Sequence, residues 1–211
     1  ELGCGDGALW KQNFSLLPQD IHITLSDISD GMLRDARRAL GARDSRFSFA
    51  AFDCEKIPAP SESYDLVIAN HVLFYCDNLE NVCKEVRRVL KPGGRFLCST
   101  YGNSHMKEIS QLVSQFDERI VLSANKLYEK FGRENGAQVL EPWYSRVEWI
   151  SYEDGLLVSD PEPLISYILS CHGNQNQYLL DHYKEFRSFV KRKTEKGFHI
   201  TKDAGIFICN Y

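Results

Sequence analysis

Two hydrophobic rhythms alternate along the first hundred residues. "IHITLSD" (21–27) puts apolar and β-branched residues at alternate positions, as a strand does. "SDGMLRDARRALGA" (29–42) instead gathers Met32, Leu33, Ala36 and Leu40 on one helical face. "RFSFAAFD" (46–53) is a second strand, and "YDLVIAN" (64–70) is apolar almost throughout, as expected of a strand covered on both faces. "NLENVCKEVRRVL" (78–90) carries Leu79, Val82, Cys83, Val86 and Leu90 on a second helical stripe. Lys91-Pro92-Gly93-Gly94 ends that helix, because proline cannot continue it and glycine supplies the turn. "RFLCSTY" (95–101) is the next strand.

This alternation predicts a parallel sheet with helices on both faces, joined by right-handed crossovers. In such a fold ligands bind beyond the carboxyl ends of the strands. The opening "ELGCGDG", Asp27, Asp53 and Asn70 all end expected strands, so they converge on one rim.

The second half is patterned less evenly. "HMKEISQLVSQF" (105–116) and "NKLYEKFG" (125–132) read as helices. "SRVEWISY" (145–152) and "LLVSD" (156–160) read as strands around a Glu153-Asp154-Gly155 turn. "PEPLISYILSC" (161–171) is a short helix, residues 178–196 are a long one, and "GIFICNY" (205–211) is an antiparallel closing strand.

Composition narrows the function. The 211 residues suffice for one large domain, and 43% hydrophobic with 26% charged residues is ordinary for a globular protein. A formal net charge of -4 argues against nucleic-acid and anionic-membrane surfaces. Seven cysteines without zinc spacing read as reduced thiols of a cytoplasmic protein, and no metal constellation is evident. No apolar run approaches the roughly 20 residues of a membrane span. Lys184, Arg187, Lys191, Arg192, Lys193 and Lys196 form a basic run, which reads as a solvated helix face.

A glycine turn between strand and helix lets a ligand rest on bare backbone and aims amide groups at it, although the same turn can be purely structural. Asp27 lies twenty residues beyond Gly7 at a strand end, where a carboxylate accepts from both ribose hydroxyls or else caps the next helix. Together they point to an adenosine-bearing cofactor. The glycine spacing is G-x-G-x-G rather than G-x-G-x-x-G, with Ala8 in the last place, which weakens a dinucleotide reading.

"ELGCGDG", "LSDIS", "FDCEKIP", "YDLVIANHVLFY" and "LKPGGRF" stand in an order and spacing that resembles the class I S-adenosylmethionine-dependent methyltransferases, over residues 1 to about 101. The resemblance implies an α/β, Rossmann-like, doubly wound fold: a mostly parallel seven-stranded sheet with helices on both faces and an antiparallel last strand. It implies one methyltransferase domain over 1–211, with a cofactor half (1–101), a substrate-side insertion and cap (about 102–175) and a closing helix and strand (176–211). The first strand is truncated here, so the resemblance implies chain upstream of Glu1.

On this resemblance, Glu1, Gly3 and Gly5 line the methionine end of S-adenosylmethionine, Asp27 holds the ribose diol and Ile28 covers the adenine, unless Ile28 is a core residue. Asp53 accepts from the adenine amino group, the Cys54 amide donates to the ring, and the Asn70 carbonyl takes the cofactor ammonium. His71, at the mouth, is the candidate base for an acceptor hydroxyl or amine, or alternatively a structural histidine. Tyr75, Tyr101, Trp143, Tyr144 and His172 are candidates to shape the acceptor pocket, or alternatively core residues, as aromatic rings commonly are. The expected acceptor is a small molecule, with S-adenosylhomocysteine as the other product. A nucleic-acid methyltransferase, an NAD-dependent oxidoreductase and a noncatalytic binding module are the alternatives; oligomeric state is left open.

Overall fold

The computed structural model describes residues 1–41, 44–123 and 126–211. Ala42 and Asn125, the ends of two expected helices, lie outside these. In chain order the elements are α1 (Ala8–Gln12), β1 (Ile23–Asp27), α2 (Asp30–Leu40), β2 (Phe47–Ala51), β3 (Tyr64–Asn70), α3 (Leu79–Val89), β4 (Leu90–Tyr101), α4 (Lys107–Phe116), α5 (Leu127–Lys130), α6 (Gly136–Leu140), β5 (Arg146–Val158), α7 (Pro161–Ser170), α8 (Gln175–Leu179), α9 (Tyr183–Thr194) and β6 (Phe198–Asn210). The chain divides into two compact units, one of Glu1–Thr100, Arg133–Ile150 and Gly205–Tyr211, the other of Tyr101–Gly132 and Ser151–Ala204.

Within the first unit the expected elements form where the pattern puts them. Ser29 caps α2 by accepting from the Met32 amide, and Asn78 caps α3 by accepting from the Asn81 amide, each satisfying a donor that a helix start leaves unpaired. Leu33, Ala36 and Leu40 of α2 pack with Ile23, Leu25 and Phe47 of β1 and β2. Each fully buried aliphatic side chain there contributes about 1.5–3 kcal/mol. Met32 departs from expectation: it is 46% exposed, because it sits at the margin of the stripe that Leu33, Ala36 and Leu40 define.

The expected sheet, with its truncated first strand, is present in part. Among the described residues there are six strands in two sheets, a parallel pair β1-β2 and a mixed sheet ordered β3-β4-β6-β5. Leu2 stands between them as an isolated bridge, parallel to Ser26 on one side and Ala69 on the other. Beyond Leu2, β1 and β3 part around a cavity of about 500 Å³ lined by Ile23, Thr24, Tyr64, Leu66 and Ile68 among others. Leu66 lines it and is 41% exposed. The Lys91–Gly94 turn is absorbed into β4 as an irregularity, where the register moves from Tyr64↔Leu90 to Leu66↔Arg95.

Two further expectations are corrected. Residues 146–158 form one strand, and Glu153-Asp154-Gly155 stays extended rather than turning. β6 lies alongside it: a Cβ on Gly155 would come within 3.0 Å of His199, a close approach that glycine permits. The helix expected over 178–196 is instead α8 and α9, with a turn at 180–182. Side-chain bonds pin the start of α8, since Asn174 accepts from the Val121 amide (2.7 Å) and donates to the Arg119 carbonyl (2.9 Å). The second unit has its own core, built on Ile109, Leu112, Val113, Leu164, Ile165, Ile168, Leu179, Phe186 and Val190. No helix of the described residues is long and apolar enough to cross a membrane.

Candidate active site

The opening glycines have three different reasons to be glycine. All have positive φ, at 61° for Gly3, 56° for Gly5 and 77° for Gly7, a region costly for other residues. A Cβ on Gly3 would collide with Val72, and one on Gly7 would press on Ala36 and Leu40 of α2 at 3.2 Å. At Gly5 a Cβ would meet nothing within 4 Å. The first and last glycines serve packing, while the middle one leaves open space above its backbone.

Around that space the strand ends are cross-bonded. The Gly5 amide donates to Asp27 Oδ2 (3.0 Å) and the Ser29 amide to Oδ1 (2.8 Å), which orients the carboxylate at the end of β1. Each oxygen keeps a lone-pair site for a further donor. Asn70 Nδ2 donates to Glu1 Oε1 (3.1 Å), and Trp10 Nε1 donates to Glu1 Oε2 (2.6 Å). Burial pushes the Glu1 carboxyl up from its ordinary pKa, opposed by the Trp10 bond. Ile28, next to Asp27, is 76% exposed, which settles it as a surface residue rather than a core one.

Asp53 follows the end of β2, two residues beyond the partner of Asp27, and its carboxylate accepts from the Glu55 amide (2.9 Å). Cys54 is half-buried, with its Sγ against that of Cys76. His71 is exposed at the end of β3 and has φ 53°, a conformation rare outside glycine. Its amide is held by the Ser99 carbonyl and hydroxyl, both at 3.2 Å, and its ring lies 6.2 Å from that of Phe74. Strained backbone of this kind concentrates at functional sites.

The structure thus joins Glu1 with Asn70 and Gly5 with Asp27, and sets Asp53, Cys54 and His71 at neighbouring strand ends. The large cavity is a separate feature, for Glu1 is the one candidate site residue on its wall. Sequence reasoning missed Trp10, which orients Glu1, and Ser99, which holds the His71 backbone; neither belongs to a motif.

The aromatic candidates divide. Tyr75 is 68% exposed close to His71, and Trp143 is half-buried with its carbonyl accepting from Arg87. Tyr144 is a core residue instead, 6% exposed and stacked on Phe96 with centroids 5.8 Å apart. Tyr101 and His172 belong to the second unit. The basic residues at 184–196 are exposed, and Arg187 pairs with Glu162 at 2.7 Å. Among the described residues no group of three or more His, Cys, Asp or Glu could hold a metal ion.

Residues 1–98 match the family model described as a methyltransferase domain. A malonyl-[acyl-carrier protein] O-methyltransferase of Enterobacter lignolyticus is 31% identical over 122 residues, covering 56% of this chain and 45% of its own length. A ubiquinone/menaquinone biosynthesis C-methyltransferase of Methylobacterium nodulans is 31% identical over 103 residues, covering 48% of this chain and 41% of its own. The chain therefore spans less than half of these curated relatives. In fold it is similar to phosphoethanolamine N-methyltransferase 2 of Haemonchus contortus, solved with S-adenosyl-L-methionine (TM-score 0.57, 16% identity, 99% of this chain and 47% of that one). Residues 1–98 thus carry the match to a methyltransferase domain, and the resemblance to the class I, S-adenosylmethionine-dependent methyltransferases rests on them. S-adenosylmethionine is the cofactor of that domain, and the open backbone at Gly5, the oriented Asp27 carboxylate and the exposed Ile28 fit it.

Proposed function

We propose that the chain transfers a methyl group from S-adenosylmethionine to a small-molecule acceptor by in-line displacement. The observation that carries the reading is the Asp27 carboxylate, tied to Gly5 and flanked by exposed Ile28, beside a backbone left open. Asp27 would hold the ribose diol, Ile28 the adenine face, Asp53 the adenine amino group and the Cys54 amide the ring. Glu1, Gly3 and Gly5 would line the methionine portion, and the Asn70 carbonyl would accept from its ammonium. The Asn70 amide nitrogen is already committed to Glu1, which fixes the orientation of that side chain.

The cofactor supplies a methyl group on a positively charged sulfonium. The protein's part is to place the acceptor in line with it, an effect that lowers barriers strongly when reacting atoms are aligned. His71 would take the proton of an acceptor hydroxyl or ammonium, and its fixed backbone at the end of β3 supports that role. The relatives are named for a carrier-bound malonyl group and for quinone biosynthesis, which supports an acceptor of metabolite size.

Incubation with methyl-labelled S-adenosylmethionine and a metabolite mixture, followed by mass spectrometry, tests the proposal. Label on a small molecule, with S-adenosylhomocysteine formed in equal amount, is the expected result. Label on RNA or DNA, and on no metabolite, would replace it with the nucleic-acid reading.

A further inference from the structure

We propose that Cys54 and Cys76 are a redox-modifiable pair, which oxidation closes to a disulfide that clasps the loop after β2 to the turn after β3 and weakens cofactor binding. Their sulfurs lie 3.2 Å apart although the residues are 22 positions apart in sequence. A disulfide needs about 2.05 Å, so an approach of roughly 1.2 Å completes the bond. The two segments are already stapled, because the Asn78 amide donates to Glu55 Oε1 at 2.8 Å. Closure is therefore a small displacement of loops that face each other.

Access at Cys54, together with the buried Cys76 sulfur against it, selects this pair among the seven cysteines. Cys83, Cys98 and Cys209 are 0–1% exposed and shielded from an oxidant in solution. Cys4 is buried, with its sulfur directed to the Gly5 carbonyl. Cys171 is half-buried, with its sulfur directed to the Tyr167 carbonyl. Cys54 is half-buried with a second thiol against it, so an oxidised Cys54 has a resolving partner in place.

The step balances with hydrogen peroxide as oxidant. The Cys54 sulfur attacks one peroxide oxygen, the O–O bond breaks, and one water leaves with a sulfenic acid remaining. The Cys76 sulfur then attacks the Cys54 sulfur and expels a second water. Two thiols are oxidised, one peroxide is reduced, and both thiol protons end in water. The hydrogen shared with Cys76, and then burial, push the Cys54 thiol up from its ordinary range, so the reaction is slow at neutral pH.

The consequence for binding rests on the proposed cofactor site, since Cys54 follows Asp53 directly and Cys76 lies five residues beyond His71. Pulling Cys54 toward Cys76 shifts the amide proposed to meet the adenine ring.

The test treats the full chain with peroxide, then measures intact mass, maps alkylated cysteines and titrates S-adenosylhomocysteine before and after reduction. Wild type should lose two hydrogen masses and protect Cys54 and Cys76, and Cys54→Ser and Cys76→Ser should each abolish the loss. Affinity should fall about fivefold or more on oxidation, the scale of one lost hydrogen bond, and recover with dithiothreitol. Seven alkylatable thiols after treatment, or a mass loss that survives Cys54→Ser, would overturn the pair. A disulfide that leaves affinity unchanged would overturn its effect on binding. The mass readout needs no cofactor, so failure of the reduced protein to bind S-adenosylhomocysteine would count against the cofactor site and leave the disulfide result standing.

Discussion

The strand ends around the glycine loop and the cavity between β1 and β3 belong to the same strands, yet they are built in opposite ways. At the ends, Asp27, Glu1 and Asn70 are bonded across elements. In the cavity, β1 and β3 face each other with Leu2 as the bridge between them, and Leu66 is 41% exposed where Leu25 is 0%. A few backbone bonds at Leu2, to the Ile68 carbonyl and beside Ser26, hold the rim in register even where the sheet below it is open.

That contrast can be broken by mutation. Leu25→Ala should cost about 2–5 kcal/mol, the loss for a fully buried leucine. Leu66→Ala, with its side chain already partly in solvent, should cost on the order of 1 kcal/mol. Equal losses in denaturant titrations would mean that the cavity is filled under those conditions. At the rim, His71→Ala should lower turnover about 100-fold with cofactor affinity unchanged. Wild-type turnover would return His71 to a structural role.

The glycines sharpen the comparison further. Gly3→Ala and Gly5→Ala each carry about 1–2 kcal/mol of left-handed strain, and Gly3→Ala adds the collision with Val72. Gly5→Ala should thus remain folded while losing S-adenosylhomocysteine affinity, and Gly3→Ala should show the larger fall in melting temperature. The opposite ranking would place the ligand over Gly3.

The smallest effect concerns the cavity wall. Glu85 accepts from Arg88 and from the amide of Ile57, a lining residue, and the Arg88 bond holds its carboxyl below the ordinary 4.5. A depressed acid contributes stability that is complete above its unfolded pKa and lost as pH falls through the folded one. The stability gap between wild type and Glu85→Gln should shrink as acid is added below pH 4.5; a gap constant with pH would contradict this stitching.

Much of the first unit was legible because each element there is specified locally. Ser29 and Asn78 cap their helices, the stripes of α2 and α3 have the right period, and the motifs at the strand ends mark where backbone turns. The positions misjudged were those that neighbours decide. Met32 reads as part of the α2 stripe but lies at its margin, and Glu153-Asp154-Gly155 reads as a turn but is kept extended by β6. The Asn174 bonds that hold the start of α8 reach residues more than fifty positions away, which no local pattern carries. At the site, the strand-end carboxylates were legible, whereas the Trp10 bond to Glu1 arises only from folding.

The rim around Gly5 and Asp27 is the proposed binding site of S-adenosylmethionine. Calorimetric titration of S-adenosylhomocysteine into wild type and Asp27→Ala, with NAD as competitor, tests it most directly. Wild type should bind without displacement by NAD, and Asp27→Ala should bind more weakly by roughly 1–3 kcal/mol, the value of charge-assisted hydrogen bonds. Equal affinity of the two proteins, or tight NAD binding, would contradict the account.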